Sequence, residues 1–127
     1  MELDLGGVIL EGIRLETGQR KIDGATVLDV VGEIDVYTAP QFKEAVNNVL
    51  AEGHKHLIIN MASVTYMDSS GFGTLLSATK RLRPMGGTVN LVKCNNAIDR
   101  ILRITRLNTV FSIYDSVDEA IEDTQSV

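Results

Sequence analysis

The chain has 127 residues, enough for one domain with a core of its own, and its 44% apolar share is that of an ordinary globular protein. Seventeen acidic residues against 12 basic give a net charge of -5, which repels a phosphate backbone, and the lack of Trp leaves little for base stacking, so nucleic acid is not an expected partner. The lone cysteine, Cys94, rules out an internal disulfide and a cysteine-cluster metal site, and with no signal-peptide pattern and no apolar run near the roughly 20 residues of a membrane span, a soluble cytoplasmic protein is expected.

Residues 1–12 carry three glycines and no clear period, and are set apart as an extension. Ile13 to Gln19 partly alternates and predicts a strand. Asp23-Gly24 is a hairpin turn signal, followed by a buried strand from Thr26 to Val31 that Gly32 is expected to close. Thr38 with Gln41 three positions on is a capping-box pattern, and Pro40 sits in the first turn. Phe42, Ala45, Val46, Val49 and Leu50 then form one apolar helical stripe, stopped by Gly53.

Leu57 to Met61 predicts the next strand, and a loop through Ser63, Tyr66 and Asp68 is expected to lead to a second helix at 70–83. Phe72, Leu75, Leu76, Thr79 and Leu82 give its inner face, and Pro84 with Gly86-Gly87 ends it. Thr88 to Val92 is a strand, Asn96 is the expected cap of a third helix carrying Ile98, Ile101 and Leu102, and Val110 to Tyr114 is a last short strand. Ser116 with Glu119 starts a fourth helix, with Ala120 and Ile121 inside and fraying expected from Asp123. Lys80, Arg81 and Arg83, and again Arg100, Arg103 and Arg106, fall at helical spacing and read as solvated helix faces. The alternation predicts an α/β domain with a mixed, mostly parallel sheet of about five strands and about four helices, the opening hairpin supplying the one antiparallel pair.

In such a sheet, sites form where the chain leaves the carboxyl ends of strands. Three loops qualify: 32–37, 62–69 and 93–96. If the strands are parallel, Glu33, Asp35, Asp68 and Ser69 share one neighbourhood. The second helix opens Asp68-Ser69-Ser70-Gly71-Phe72-Gly73, with two glycines that each cost up to ~1 kcal/mol relative to Ala. Bare backbone at a helix N-terminus can receive an anion. A plain account stands beside it, in which Ser69 or Ser70 is an ordinary N-cap and the glycines let the helix pack close to the sheet.

The stretch from Tyr66 to Leu76 resembles the phosphorylation-site signature of STAS-domain anti-sigma factor antagonists, Asp-Ser-Ser/Thr-Gly-Leu-Gly. Val31 to Ala39 resembles a second motif of that family, Gly-Glu-Leu-Asp before a helix start. The resemblance covers about residues 13–121, leaving 122–127 as a tail. It implies a STAS fold and phosphorylation at Ser69. It also implies a partner-binding surface at Glu33, Asp35, Asp68, Ser70 and Gly71. The implied partners are an anti-sigma factor that is itself a serine kinase and a serine/threonine phosphatase that resets the switch. Phe72 replaces the usual Leu, and Arg106 stands where many members have Gly, so a different ending of the third helix is expected.

A scaffold or accessory subunit of a signalling or transporter complex would use the same fold. An enzyme fits less well. Ser69-Ser70-Gly71 is not Gly-x-Ser-x-Gly, and Gly71-Phe72-Gly73 is no nucleotide fingerprint. His54 and His56 are placed at the opposite sheet edge from Ser69 and read as surface histidines, not a metal pair. Cys94 reads as a small half-buried residue. No cofactor, metal or catalytic residue is expected.

Overall fold

The computed structural model describes residues 14–125, so the expected extension at 1–12 lies outside them. Asp23 and Gly24 both adopt positive φ, 51° and 84°, the pairing that matches the twist of two antiparallel strands. They join β1 (Leu15–Ile22) to β2 (Ala25–Ile34), with Ile22 opposite Ala25 at the turn and Leu15 opposite Gly32 at the far end. The chain continues through α1 (Ala39–Ala51), β3 (His56–Met67), α2 (Ser69–Leu82), β4 (Thr88–Val92), α3 (Asn96–Ile104), β5 (Ser112–Tyr114) and α4 (Val117–Gln125). The five strands lie in the order β1-β2-β3-β4-β5, parallel from β2 onward.

The stripe on α1 is buried as its spacing predicts, from Phe42 to Leu50. It packs with Phe72, Leu75 and Leu82 of α2 over one face of the sheet, against Leu28, Val30, Ile34, Leu57 and Ile59. The other face carries a smaller cluster in which Ala120 and Ile121 of α4 cover Val27, Ile58 and Val92. Each fully buried aliphatic or Phe side chain contributes about 1.5–3 kcal/mol, so the larger cluster dominates the stability.

Two strands run further than their sequences suggest. Of the stretch expected as a loop, 62–69, residues 62–67 stay in β3, because Val64, Tyr66 and Met67 remain paired with Gly32, Glu33 and Ile34. Gly32 does not close β2. It sits at a shift of register with φ 120°, and a Cβ there would lie 2.0 Å from the Arg14 carbonyl oxygen, so only glycine lets β1 approach.

Cap assignments also change. Thr38 precedes α1, but its side chain makes no cap bond to the helix, and Gln41 reaches the Leu15 carbonyl instead. Asn95, not Asn96, caps α3 by accepting from the Ile98 N–H at 2.9 Å. Ser116 does accept from the Glu119 N–H, at 3.1 Å, and α4 continues to Gln125. Arg106 adopts φ 63° after α3, so the chain keeps a left-handed residue there without the glycine.

Candidate functional site

The first loop is organised by Asp35. Its Oδ1 accepts the backbone N–H groups of Tyr37 at 2.9 Å and Thr38 at 3.0 Å, the second of which a capping box would give to the Gln41 side chain. Thr38 Oγ1 accepts from the Asp35 N–H at 2.9 Å and donates to the Glu33 carbonyl at 2.8 Å. The second carboxylate oxygen, Oδ2, takes a hydrogen bond from Arg14, whose Nη2 also donates to Glu33 Oε1 at 2.9 Å. Asp35 is 9% exposed. Burial alone would push its carboxyl up, but the Thr38 and Tyr37 N–H groups and Arg14 outweigh it and hold the group below the usual carboxylate range. The Arg14 guanidinium is raised in turn, by its bond to Glu33 first and by Asp35 after burial is counted against it.

The second loop is the junction of β3 and α2. The Asp68 N–H donates to the Ile34 carbonyl at 3.1 Å, which sets Asp68 beside the start of the Asp35 loop. Asp68 is the N-cap of α2, in extended geometry, and its Oδ1 accepts both the N–H of Ser70, at 2.9 Å, and the Ser70 hydroxyl. The cap is therefore neither serine. Ser69 is the first helical residue and is exposed, and among the described residues its hydroxyl has no hydrogen-bond partner. Ser70 is half-buried under Asp68.

The glycines have different reasons. Gly71 is buried, and a Cβ there would lie 2.5 Å from Met67 Cγ and 2.8 Å from Ile34 Cγ2. Its absence lets α2 descend onto the strand ends. At Gly73 a Cβ would meet nothing within 4 Å. The first turn of α2 is not bare backbone waiting for an anion either. Its Ser70 N–H bonds the Asp68 carboxylate, and the Gly71 and Phe72 N–H groups bond the Asp68 carbonyl at 3.1 and 3.3 Å.

The third loop is tied to β3 through Asn95, whose side-chain amide donates to the Val64 carbonyl at 3.1 Å. Glu33, Asp35, Asp68, Ser69, Ser70 and Gly71 thus gather at one sheet edge, as parallel strands require. Sequence reasoning missed Arg14, placed there as part of an unremarkable strand. The available signal was a cation at the start of β1, opposite Gly-Glu-Ile-Asp in the hairpin. It also missed exposed apolar side chains around this edge, Val36 at 65%, Tyr37 at 81% and Tyr66 at 52%. An exposed hydroxyl among carboxylates and exposed aromatics can accept a transferred group and dock a protein.

The remaining singled-out residues lie elsewhere. His54 Nε2 sits 3.0 Å from Thr26 Oγ1 and 3.1 Å from Glu52 Oε1, and His56 Nδ1 sits 2.7 Å from Thr88 Oγ1, all at the far ends of the strands. Cys94 is half-buried, and burial, then Asp99, push its thiol up to about 11. Among the described residues no cluster of His, Cys, Asp and Glu is placed to hold a metal ion, and no helix is long and apolar enough to cross a membrane.

Comparison with known proteins converges. The family model of the STAS domain matches residues 19–120. An anti-sigma-B factor antagonist of Listeria monocytogenes is 35% identical over 101 residues, spanning 80% of this chain and 88% of its own. A crystal structure of an anti-sigma factor antagonist from Mycobacterium paratuberculosis superposes with a TM-score of 0.80 at 29% identity, covering 87% of this chain and 94% of that one. The Bacillus cell fate determinant SpoIIAA in its phosphorylated form shares the fold, with a TM-score of 0.67 at 20% identity over 86% of this chain and 99% of that one.

Proposed function

Because the chain belongs to the STAS domain family, we propose that it is an anti-sigma factor antagonist switched by phosphorylation of Ser69. In this reading the unphosphorylated form docks an anti-sigma factor that is also a serine kinase and so frees the sigma factor. The observation that carries it is the exposed Ser69 hydroxyl at the start of α2, without a hydrogen-bond partner among the described residues, beside Asp68 and next to the Asp35 loop. The kinase passes the γ-phosphoryl group of ATP to Ser69 Oγ. The new O–P bond forms as the bond to ADP breaks, and the hydroxyl proton leaves to a base of the kinase. A metal-dependent serine/threonine phosphatase hydrolyses the ester and resets the switch.

Magnitudes favour release over refolding. The phosphate adds about -1.5 to -2 charges. The helix dipole attracts it by only about 0.3–1 kcal/mol, and Asp68 already holds three N–H groups of the first turn. Burying the dianion against an interface shaped for a hydroxyl, beside Asp68, costs several kcal/mol. Each 1.4 kcal/mol is about tenfold in affinity. Incubation with the kinase of the same cell and Mg-ATP should label Ser69, and Ser69→Ala should still bind while resisting label. Label on Ser70 alone, or Ser69→Asp binding as tightly as the wild type, overturns the reading.

A further inference from the structure

One feature of the signature is left without a use by the protein's own packing: Gly73 occupies open space, although a helical glycine costs up to ~1 kcal/mol relative to Ala. It faces a groove of about 250 Å³ between α1 and α2, one turn of helix from Ser69. Val46 and Ala78 line its apolar part, and Asn47, Ser70, Thr74 and Ser77 add polar groups. Lys43 and Arg81 supply the charge, and among the described residues no carboxylate lines the groove. Arg81 Nη1 donates to Asn47 Oδ1 at 2.9 Å, which fixes the guanidinium and leaves its other donors without a partner among the described residues. Neither cation pairs with a carboxylate among the described residues.

We propose that this groove receives an acidic segment of the protein partner, its carboxylates on Lys43 and Arg81 and its backbone passing over Gly73. The inference rests on the reading of the chain as a protein-docking switch and states the chemistry of what docks. Two fixed-sign cations without a carboxylate partner among the described residues attract carboxylates, and bidentate geometry suits the guanidinium. The missing side chain at residue 73 gives room for a second backbone to come close. The net charge of -5 does not oppose this, because at physiological salt a charge is screened beyond about 8 Å and the groove sees its own cations first.

The test is a titration of the full chain, labelled with nitrogen-15, with a hexaglutamate peptide, read from amide chemical shifts. Saturable shifts are expected at Asn47, Gly73, Thr74 and Ser77, unchanged in Ser69→Ala and weakened at least tenfold in affinity in Lys43→Glu/Arg81→Glu. Lys43→Met alone should give a smaller loss, and serves if the double variant fails to fold. Shifts centred on Arg100 and Arg103, undiminished binding by the charge-changed variants, or equal shifts from inorganic phosphate at the same concentration overturn the proposal. Groove binding without kinase label on Ser69 fails the switch reading alone. Label on Ser69 without groove binding fails this one alone.

Discussion

Arg14 closes over Asp35 from across the first hairpin, so the carboxylate that caps the loop before α1 has both oxygens engaged within the protein. Oδ1 holds the Tyr37 and Thr38 N–H groups, and Oδ2 faces the guanidinium. A residue that family resemblance marks for partner binding is thus also what shapes the loop. Any partner that reads Asp35 meets Arg14 and Glu33 with it.

Arg14→Met should raise the Asp35 pKa toward the usual range, measured from its carboxyl carbon shift. A carboxylate held below its unfolded value stabilises the fold fully above that value, about 3.9, and the gain is lost as pH falls through the folded value. The stability gap between wild type and Arg14→Met should therefore be widest above about pH 5 and narrow below about pH 4. The Arg20–Asp29 pair also lowers its carboxyl, chiefly through Arg20, but is common to both proteins and cancels in the difference. A gap independent of pH would assign Arg14 a packing role only.

The two glycines of α2 should respond with opposite sign to alanine. At Gly71 the new methyl meets Met67 and Ile34, both buried, and overpacking of this kind costs about 1–3 kcal/mol. Helix propensity returns at most ~1 kcal/mol. A net loss of about 1–2 kcal/mol in urea denaturation is expected. At Gly73 only the propensity term acts, so Gly73→Ala should gain about 0.5–1 kcal/mol.

Arg106 holds a left-handed backbone that costs a non-glycine residue about 1–2 kcal/mol. Arg106→Gly removes that cost and adds unfolded-state entropy that takes part of it back. Stabilisation of about 0.5–1 kcal/mol is expected, with α3 unchanged. Loss of stability would mean that the arginine side chain matters more than its backbone.

Cys94 should be a poor nucleophile at neutral pH. With its thiol pushed up to about 11 by burial and Asp99, the thiolate is scarce, and iodoacetamide should react far more slowly than with glutathione. The rate should rise about tenfold per pH unit up to pH 10 while the fold persists. Rapid alkylation at pH 7 would contradict the half-buried placement beside Asp99.

The amino-acid order alone determined the features written in short-range pattern. The stripe from Phe42 to Leu50, the Asp23-Gly24 turn, the Ser116–Glu119 start of α4 and the order of strands and helices all follow from periodicity and local turn chemistry. That order also brought Glu33, Asp35, Asp68 and Ser69 to one edge, because parallel strands deliver their carboxyl ends together. What only the tertiary structure decided is which of several competent groups takes each contact. Thr38 and Gln41 have the right types for a capping box, yet Asp35 lies closer to the N–H groups and Gln41 finds Leu15. Ser69 and Asn96 can cap, yet Asp68 and Asn95 do. Two adjacent-looking glycines separate only when one faces Met67 and Ile34 and the other open space. Such choices turn on backbone geometry that packing between distant segments sets, as the Asp68 N–H on the Ile34 carbonyl does, and local pattern carries no information about it.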